Sequence, residues 1–299
     1  MMTTTQTPDT YIDVTTFQDD VAYLEALFHR QVVGDSELPL IDTGQGAPLV
    51  FVPILEHLEF VYARQVRFFS QNRRVILYRR HETRMHFTSM QQRVEELREL
   101  LNHLEIMSAD FVAHGDGAMV LLEFALRYPQ RCRSLTIIAQ AADYRIKPHP
   151  WIWFLHELYL RLPVEHMLPA AFVRRTVVNY IVSRQARSQT LAEGEHLHVL
   201  PRACIESQFS KINAWPAVYK FSVIPVIHNF DIRKRLAGLT MPVLLINRFD
   251  DALSPESKTH WFAEHLPNCA GYHVIPGGER FFMYSEATRV NQIIQGFLV

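Results

Sequence analysis

The stretch FVAHGDGAMVLLEFALRYP, residues 111–129, constrains the fold of this chain more than any other. An apolar run ends at His114, a Gly-Asp-Gly turn follows at once, and apolar residues then recur at helical spacing. A buried strand that passes through a tight turn into a helix is half of a parallel-sheet unit covered by helices. The same rhythm runs through much of the 299 residues. RRVILYRR (73–80), 110–114, SLTIIAQAA (134–142), MPVLLINRFDD (241–251) and GYHVIPGG (271–278) read as strands. The segments 89–106, 117–128, 256–265 and 286–298 read as helices between or after them. Near the start, FQDDVAYLEALFHR (17–30) has helical spacing, and RQVVGD and LPLIDTGQGAPLVFVPIL read as short strands separated by Gly and Pro turns. From about Asp143 to Asn229 the rhythm gives way to aromatic, helical sequence, WIWFLHELYL among it. The expectation is an α/β fold with a mostly parallel central sheet flanked by helices. Its core would span 31–143 and 230–299, with a helical cap inserted at 144–229 and an N-terminal extension carrying a helix at 1–30.

Composition narrows the classes. The formal net charge of −1, with acids and bases interspersed, offers no basic stripe for nucleic acid. Three widely spaced cysteines without a CxxC fit reduced thiols better than a disulfide framework. The polar start MMTTTQTPDTYIDVTTF has no secretory pattern, and no apolar run reaches the ~18 residues of a membrane span. A cytoplasmic chain without a membrane span is expected.

In order and in residues the chain resembles the α/β-hydrolase superfamily, from about residue 30 to 298. DTGQGAPLVFVP is similar to the approach to that family's third strand, and AHGDGAMVLLEFALRYPQRCRSLTII to its nucleophile elbow, following helix and next strand. MPVLLINRFDDALSP is similar to the acid-bearing strand and loop, and IPGGERFFMYSEATRVNQIIQGFL to the histidine loop and last helix. The resemblance implies a Ser–His–Asp triad, but this chain departs from it in four places. Ala113 and Gly117 are the small residues flanking the elbow, and they bracket Gly115, which has no side chain to form a covalent intermediate. Arg280 falls where the histidine belongs, and a guanidinium cannot act as general base. Pro53 and Ile54 replace the histidine–glycine pair that helps build the oxyanion hole, and LYRRHE lacks the aspartate and glycine expected after the fourth strand. The acid position survives as Asp250 or Asp251; Asp251 fits better, four residues before Pro255.

The candidate catalytic groups are therefore Asp116, His57, Glu56 and Asp251, with Gly115, His114, Leu55, Glu279 and Arg280 as candidate binding residues. Amides at Asp116 and near Leu55 are suited to an oxygen anion. Each side chain also has a plainer reading. Asp251 and Arg280 would form a salt bridge, Asp116 would cap a helix, His114 would be scaffold, and Glu56 and His57 would sit in a solvated loop. HGDGAMV lacks the third glycine of a dinucleotide fingerprint, so no cofactor is implied. EGEHLH (193–198) has two histidines but no further ligand cluster, so no metal is implied either.

Ordinary serine hydrolysis is thus excluded, and three functions stay open. One is a non-hydrolytic enzyme of isomerase, cyclase or lyase type, acting on a small, partly apolar molecule between core and cap. A second is a pseudoenzyme that binds a small apolar or amphipathic ligand or a protein partner. The third is a hydrolase that uses Asp116 or an activated water. The sequence leaves open whether the N-terminal helix packs on the cap, on the sheet, or on a second copy to form a homodimer.

Overall fold

The computed structural model describes residues 10–34, 36–144, 150–182, 197–249, 251, 253–276 and 280–298. Its centre is an eight-stranded sheet of β1 (His29–Val33), β2 (Ser36–Thr43), β3 (Pro48–Val52), β4 (Arg74–Tyr78), β5 (Ala109–His114), β6 (Cys132–Ile138), β7 (Val243–Arg248) and β8 (Cys269–Ile275). The order across the sheet is β1-β2-β4-β3-β5-β6-β7-β8. β2 runs antiparallel to both β1 and β4, and every other pairing is parallel. The resulting α/β architecture, a mostly parallel sheet flanked by helices, is the one the sequence pattern implies.

Burial alternates along the strands. Leu49 and Phe51 face one apolar layer while Val50 and Val52 face the other, as a two-residue side-chain period requires. One layer takes α1 (Val14–Leu27), α2 (Ala63–Phe69) and the last long helix; the other takes α3 (Met90–His103) and α4 (Asp116–Arg127). α3 starts at a reciprocal cap, the Ser89 side chain accepting from the Gln92 amide and the Gln92 side chain accepting from the Ser89 amide. Beyond β6 the chain forms α5 (Pro150–Arg161), α6 (Ala170–Val182) and α7 (Arg202–Lys211), then returns to the sheet and continues through α8 (Glu256–His265) and α9 (Ala287–Phe297). A short antiparallel neck ties the two ends of this excursion. Asp143 bridges Asp231, the Tyr144 amide donates to the Phe230 carbonyl at 3.0 Å, and the Ile232 amide donates to the Ala142 carbonyl at 2.9 Å.

One local expectation changes. The first helix covers Val14–Leu27 and not 17–30, because the Asp13 carboxylate caps it by accepting from the Thr16 amide at 2.9 Å. His29 and Arg30 then belong to β1. The helix packs on the core, with Phe17 edge-on to Phe60 and Tyr284 and Asp20 paired with Arg64 and Arg67. Just before it, Thr10–Tyr11 pairs in parallel with His198–Val199, which joins the N-terminal segment to the excursion. No helix among the described residues is long and apolar enough to cross a membrane.

Candidate functional site

The turn from β5 into α4 is as sharp as the sequence implies. Gly115 sits at φ 57° and ψ −126°, a left-handed conformation that strains any residue with a Cβ. Its amide donates to the Ile138 carbonyl at 3.0 Å, and its carbonyl accepts from the Ala118 amide at 3.1 Å. A Cβ on Gly117 would lie 2.6 Å from the Pro53 carbonyl oxygen and 2.7 Å from that of Val52, so the small residue there is a requirement of backbone approach. Beneath the turn, the His114 amide donates to the Tyr62 hydroxyl at 3.0 Å, and that hydroxyl donates to the Val52 carbonyl at 2.8 Å. This fixes the end of β5 against the end of β3.

Above the turn lies a cavity of about 450 Å³. Ile54, Leu55, Gly115, Asp116 and Arg280 line its core side, and Phe172, Val173, Phe209, Trp215 and Tyr219 line the side facing the helical excursion. Phe209 and Trp215 stack with their ring planes 5° apart, and the Trp215 indole N–H donates to the Phe209 carbonyl at 2.8 Å. The Phe209–Trp215 pair is therefore a fixed part of the apolar wall, with the polar edge of the indole satisfied inside the protein.

The ionisable groups at the floor are paired with one another. Arg280 Nη1 donates to Asp251 Oδ1 at 2.8 Å and Nη2 to the Ala139 carbonyl at 3.1 Å. Asp251 also accepts from Arg248 Nε at 3.0 Å and from the amides of Leu253 and Ser254, each at 2.8 Å. Burial alone would raise the Asp251 pKa, but the Arg280 and Arg248 charges and these hydrogen bonds hold it below the usual carboxylate range. A Cβ placed on Gly115 would meet Arg280 Nη2 at 3.5 Å. The guanidinium thus borders the volume that a side chain at 115 would enter.

His114 is buried, and burial, with the Arg280 charge adding to it, pushes its pKa down to about 3. The ring is neutral, and Nε2 lies 3.0 Å from the Arg280 carbonyl, which assigns the proton to Nε2. Asp116 lines the cavity at the first position of α4, but its carboxylate lies 2.7 Å from the buried Arg80 guanidinium. Arg80 in turn bonds Glu82 at 2.5 Å, and Glu82 bonds Arg93 at 2.8 Å. The helix-terminus position also favours the Asp116 negative charge.

Of the nine candidate residues, the structure brings Leu55, His114, Gly115, Asp116 and Arg280 together around the cavity, with Asp251 behind Arg280. Glu56 and His57 are not among the lining residues. Glu56 pairs with Arg84 at 2.7 Å, and His57 takes a left-handed φ of 65° in the same loop. Burial raises the Glu56 pKa against the pull of Arg84, and burial lowers that of His57. Glu279, Asp250 and most of EGEHLH, at 193–196, lie outside the described residues. Among the described residues no group of three or more His, Cys, Asp or Glu is placed to hold a metal ion.

Sequence reasoning missed Arg80, the partner of Asp116. LYRRHE was notable for the residues it lacked, and a pairing across 36 positions leaves no local signal. It also missed Tyr62, although an aromatic with one polar atom ahead of a buried helix was the available hint.

No family model matches the chain. The protein assigned as carbamate hydrolase RutD of Stutzerimonas stutzeri is 28% identical over 207 residues, which cover 69% of this chain and 72% of that protein. Among solved structures, a thermophilic esterase from Thermogutta terrifontis superposes with a TM-score of 0.70 at 19% identity, covering 91% of this chain and 97% of its own. An enol-lactonase from Burkholderia xenovorans gives a TM-score of 0.69 at 16% identity, covering 90% and 99%. These two likenesses speak for the fold. With the strand order, the left-handed turn between β5 and α4 and the hydrolase relative, they lead to one conclusion: the chain is a member of the α/β-hydrolase superfamily.

Proposed function

We propose that this chain binds a small, largely apolar molecule in the cavity above Gly115 and does not hydrolyse it. One observation carries the reading. Each ionisable side chain that the cavity meets at its floor is already engaged: Arg280 by Asp251, Asp116 by Arg80, and His114 as a neutral ring bonded to the Arg280 carbonyl. Hydrolysis by this fold calls for a nucleophile and a base that share a proton, and glycine and a salt-bridged arginine stand at those two positions. The cavity volume falls within the roughly 300–1,000 Å³ of small-molecule sites, and its walls are mainly aliphatic and aromatic. The carbamate hydrolase assignment and the esterase and lactonase activities of the similar proteins describe what those proteins do with the fold; here the same pocket serves to hold a ligand.

A second reading keeps turnover without hydrolysis, as an isomerase, cyclase or lyase acting on a partly apolar substrate. It is supported by the Asp116 carboxylate, which lines the cavity and retains 18% side-chain exposure beside its Arg80 partner. A hydrolase working through Asp116 or a bound water is the remaining variant of that idea.

Native mass spectrometry of the purified chain, paired with a p-nitrophenyl ester panel, separates the three. A retained hydrophobic ligand whose mass stays unchanged on incubation, together with no ester cleavage, is the expected result. Conversion of the retained ligand that stops in Asp116→Asn would replace binding with non-hydrolytic catalysis. Ester cleavage that stops in the same variant would restore hydrolysis.

A further inference from the structure

The cavity above Gly115 meets two charges of opposite sign, and each has its counter-ion hidden behind it. Arg280 lines the cavity; its partner Asp251 does not, and is 1% exposed. Asp116 lines the cavity; its partner Arg80 does not, and is 2% exposed. A bound molecule is therefore offered one guanidinium and one carboxylate.

The protein partners leave hydrogen-bonding capacity on both groups. A guanidinium has five N–H groups. Among the described residues Arg280 makes hydrogen bonds through two of them, Nη1 to Asp251 and Nη2 to the Ala139 carbonyl, and Nη2 also borders the Cβ direction of Gly115 at 3.5 Å. On Asp116, Oδ2 meets Arg80 at 2.7 Å, and Oδ1 has no hydrogen bond among the described residues. Asp116 follows Gly115 directly in the chain, so both groups come to the same end of the cavity. Other polar side chains of the wall turn their donors into the protein. The Thr176 hydroxyl donates to the Phe172 carbonyl at 2.9 Å, and the Tyr159 hydroxyl to the Pro216 carbonyl at 3.2 Å.

This pair of charges selects the head of the ligand. A carboxylate would pair with Arg280 but face the Asp116 carboxylate, and an ammonium would pair with Asp116 but face Arg280. In an apolar cavity such a like-charge contact offsets the pairing. An ester gives Arg280 an acceptor but leaves the Asp116 oxygen desolvated without a donor. A carboxamide has a carbonyl oxygen for the one and an N–H for the other, and it carries no net charge.

We infer that the cavity takes a molecule with an apolar chain and a neutral carboxamide head, its carbonyl accepting from Arg280 and its N–H donating to Asp116. The inference rests on the reading of the cavity as an apolar-ligand site and adds the chemistry of the head.

The test is displacement of phenylnaphthylamine from the full chain at neutral pH by four compounds with the same chain: octanamide, methyl octanoate, octanoate and octylamine. Octanamide is expected to displace the probe at a concentration at least tenfold lower than any of the others, because a site built to bond a donor and an acceptor rejects analogues that lack one. Asp116→Ala should bring octanamide to the level of the methyl ester and leave the ester unchanged, whereas Arg280→Leu should weaken both. The wild-type ranking needs no variant, so it decides even where a substitution unsettles the fold. Octanoate or octylamine binding tightest, or an ester equal to the amide, overturns the inference and leaves the apolar pocket standing. An amide preference that survives in folded Asp116→Ala overturns it as well. If the neutral probe fails to enter the wild-type chain, the pocket reading falls, and the head-group inference falls with it.

Discussion

At Gly115 and Gly117 two glycines are required for different reasons, and substitutions should separate them. Gly117 faces backbone oxygens that cannot move aside without shifting β3, so Gly117→Ala should destabilise by about 2–3 kcal/mol in urea denaturation. Gly115 leaves ordinary contact distances around an added Cβ but has a left-handed φ, so Gly115→Ser should cost about 1–3 kcal/mol from backbone strain. That variant should cleave no ester, because Arg280 cannot accept the serine proton. Gly115→Ser/Arg280→His should release p-nitrophenol above the wild-type background, with the new histidine facing Asp251. The spacing of Ala113, Gly115 and Gly117 made the turn legible from sequence, because its geometry is set by residue size at fixed intervals. The Asp251–Arg280 pair was legible too, since the resemblance made those two positions neighbours. The Asp116–Arg80 pair was not: it joins the ends of two strands that only the folded sheet brings together.

Among the elements, the N-terminal helix illustrates both what periodicity reveals and where it stops. Apolar positions 21, 24, 27 and 28 announced a helix, but its start depends on Asp13, whose capping role is a matter of one side chain and one amide. Its docking site was invisible because the receiving rings, Phe60 and Tyr284, come from distant parts of the chain. Phe17 is 1% exposed between them, so Phe17→Ala should destabilise by about 3–5 kcal/mol, read as a drop in the urea midpoint. The strands of the sheet were the easiest elements to read, for their burial on both faces leaves continuous apolar runs. The short α2 helix went unread, because seven residues give too little periodicity to separate it from a loop.

For the molecule as a whole, two buried groups give its stability opposite dependences on pH. The His114 pKa lies at about 3 in the folded chain against an ordinary value of 6.5, so its stabilising neutrality is intact above 6.5 and is lost as pH falls toward 3. Burial pushes the Glu59 carboxyl up to about 7 despite its ion pair with Arg79, so its contribution is intact below 4.5 and is lost as pH rises toward 7. Relative to wild type, His114→Gln should therefore gain stability as pH is lowered, and Glu59→Gln should gain it as pH is raised. Each slope should stay within about 1.4 kcal/mol per pH unit in denaturation series across pH 4–8. The placement of the Arg280 guanidinium against Gly115 also bears on the mutational history open to this chain. A serine introduced first meets the arginine in a strained backbone; a histidine introduced first gives up the 2.8 Å bond to Asp251 and gains no nucleophile to serve. Neither single substitution is expected to bring ester cleavage and each is expected to weaken the fold, so the glycine and the arginine would have to change together for a nucleophile and a base to meet.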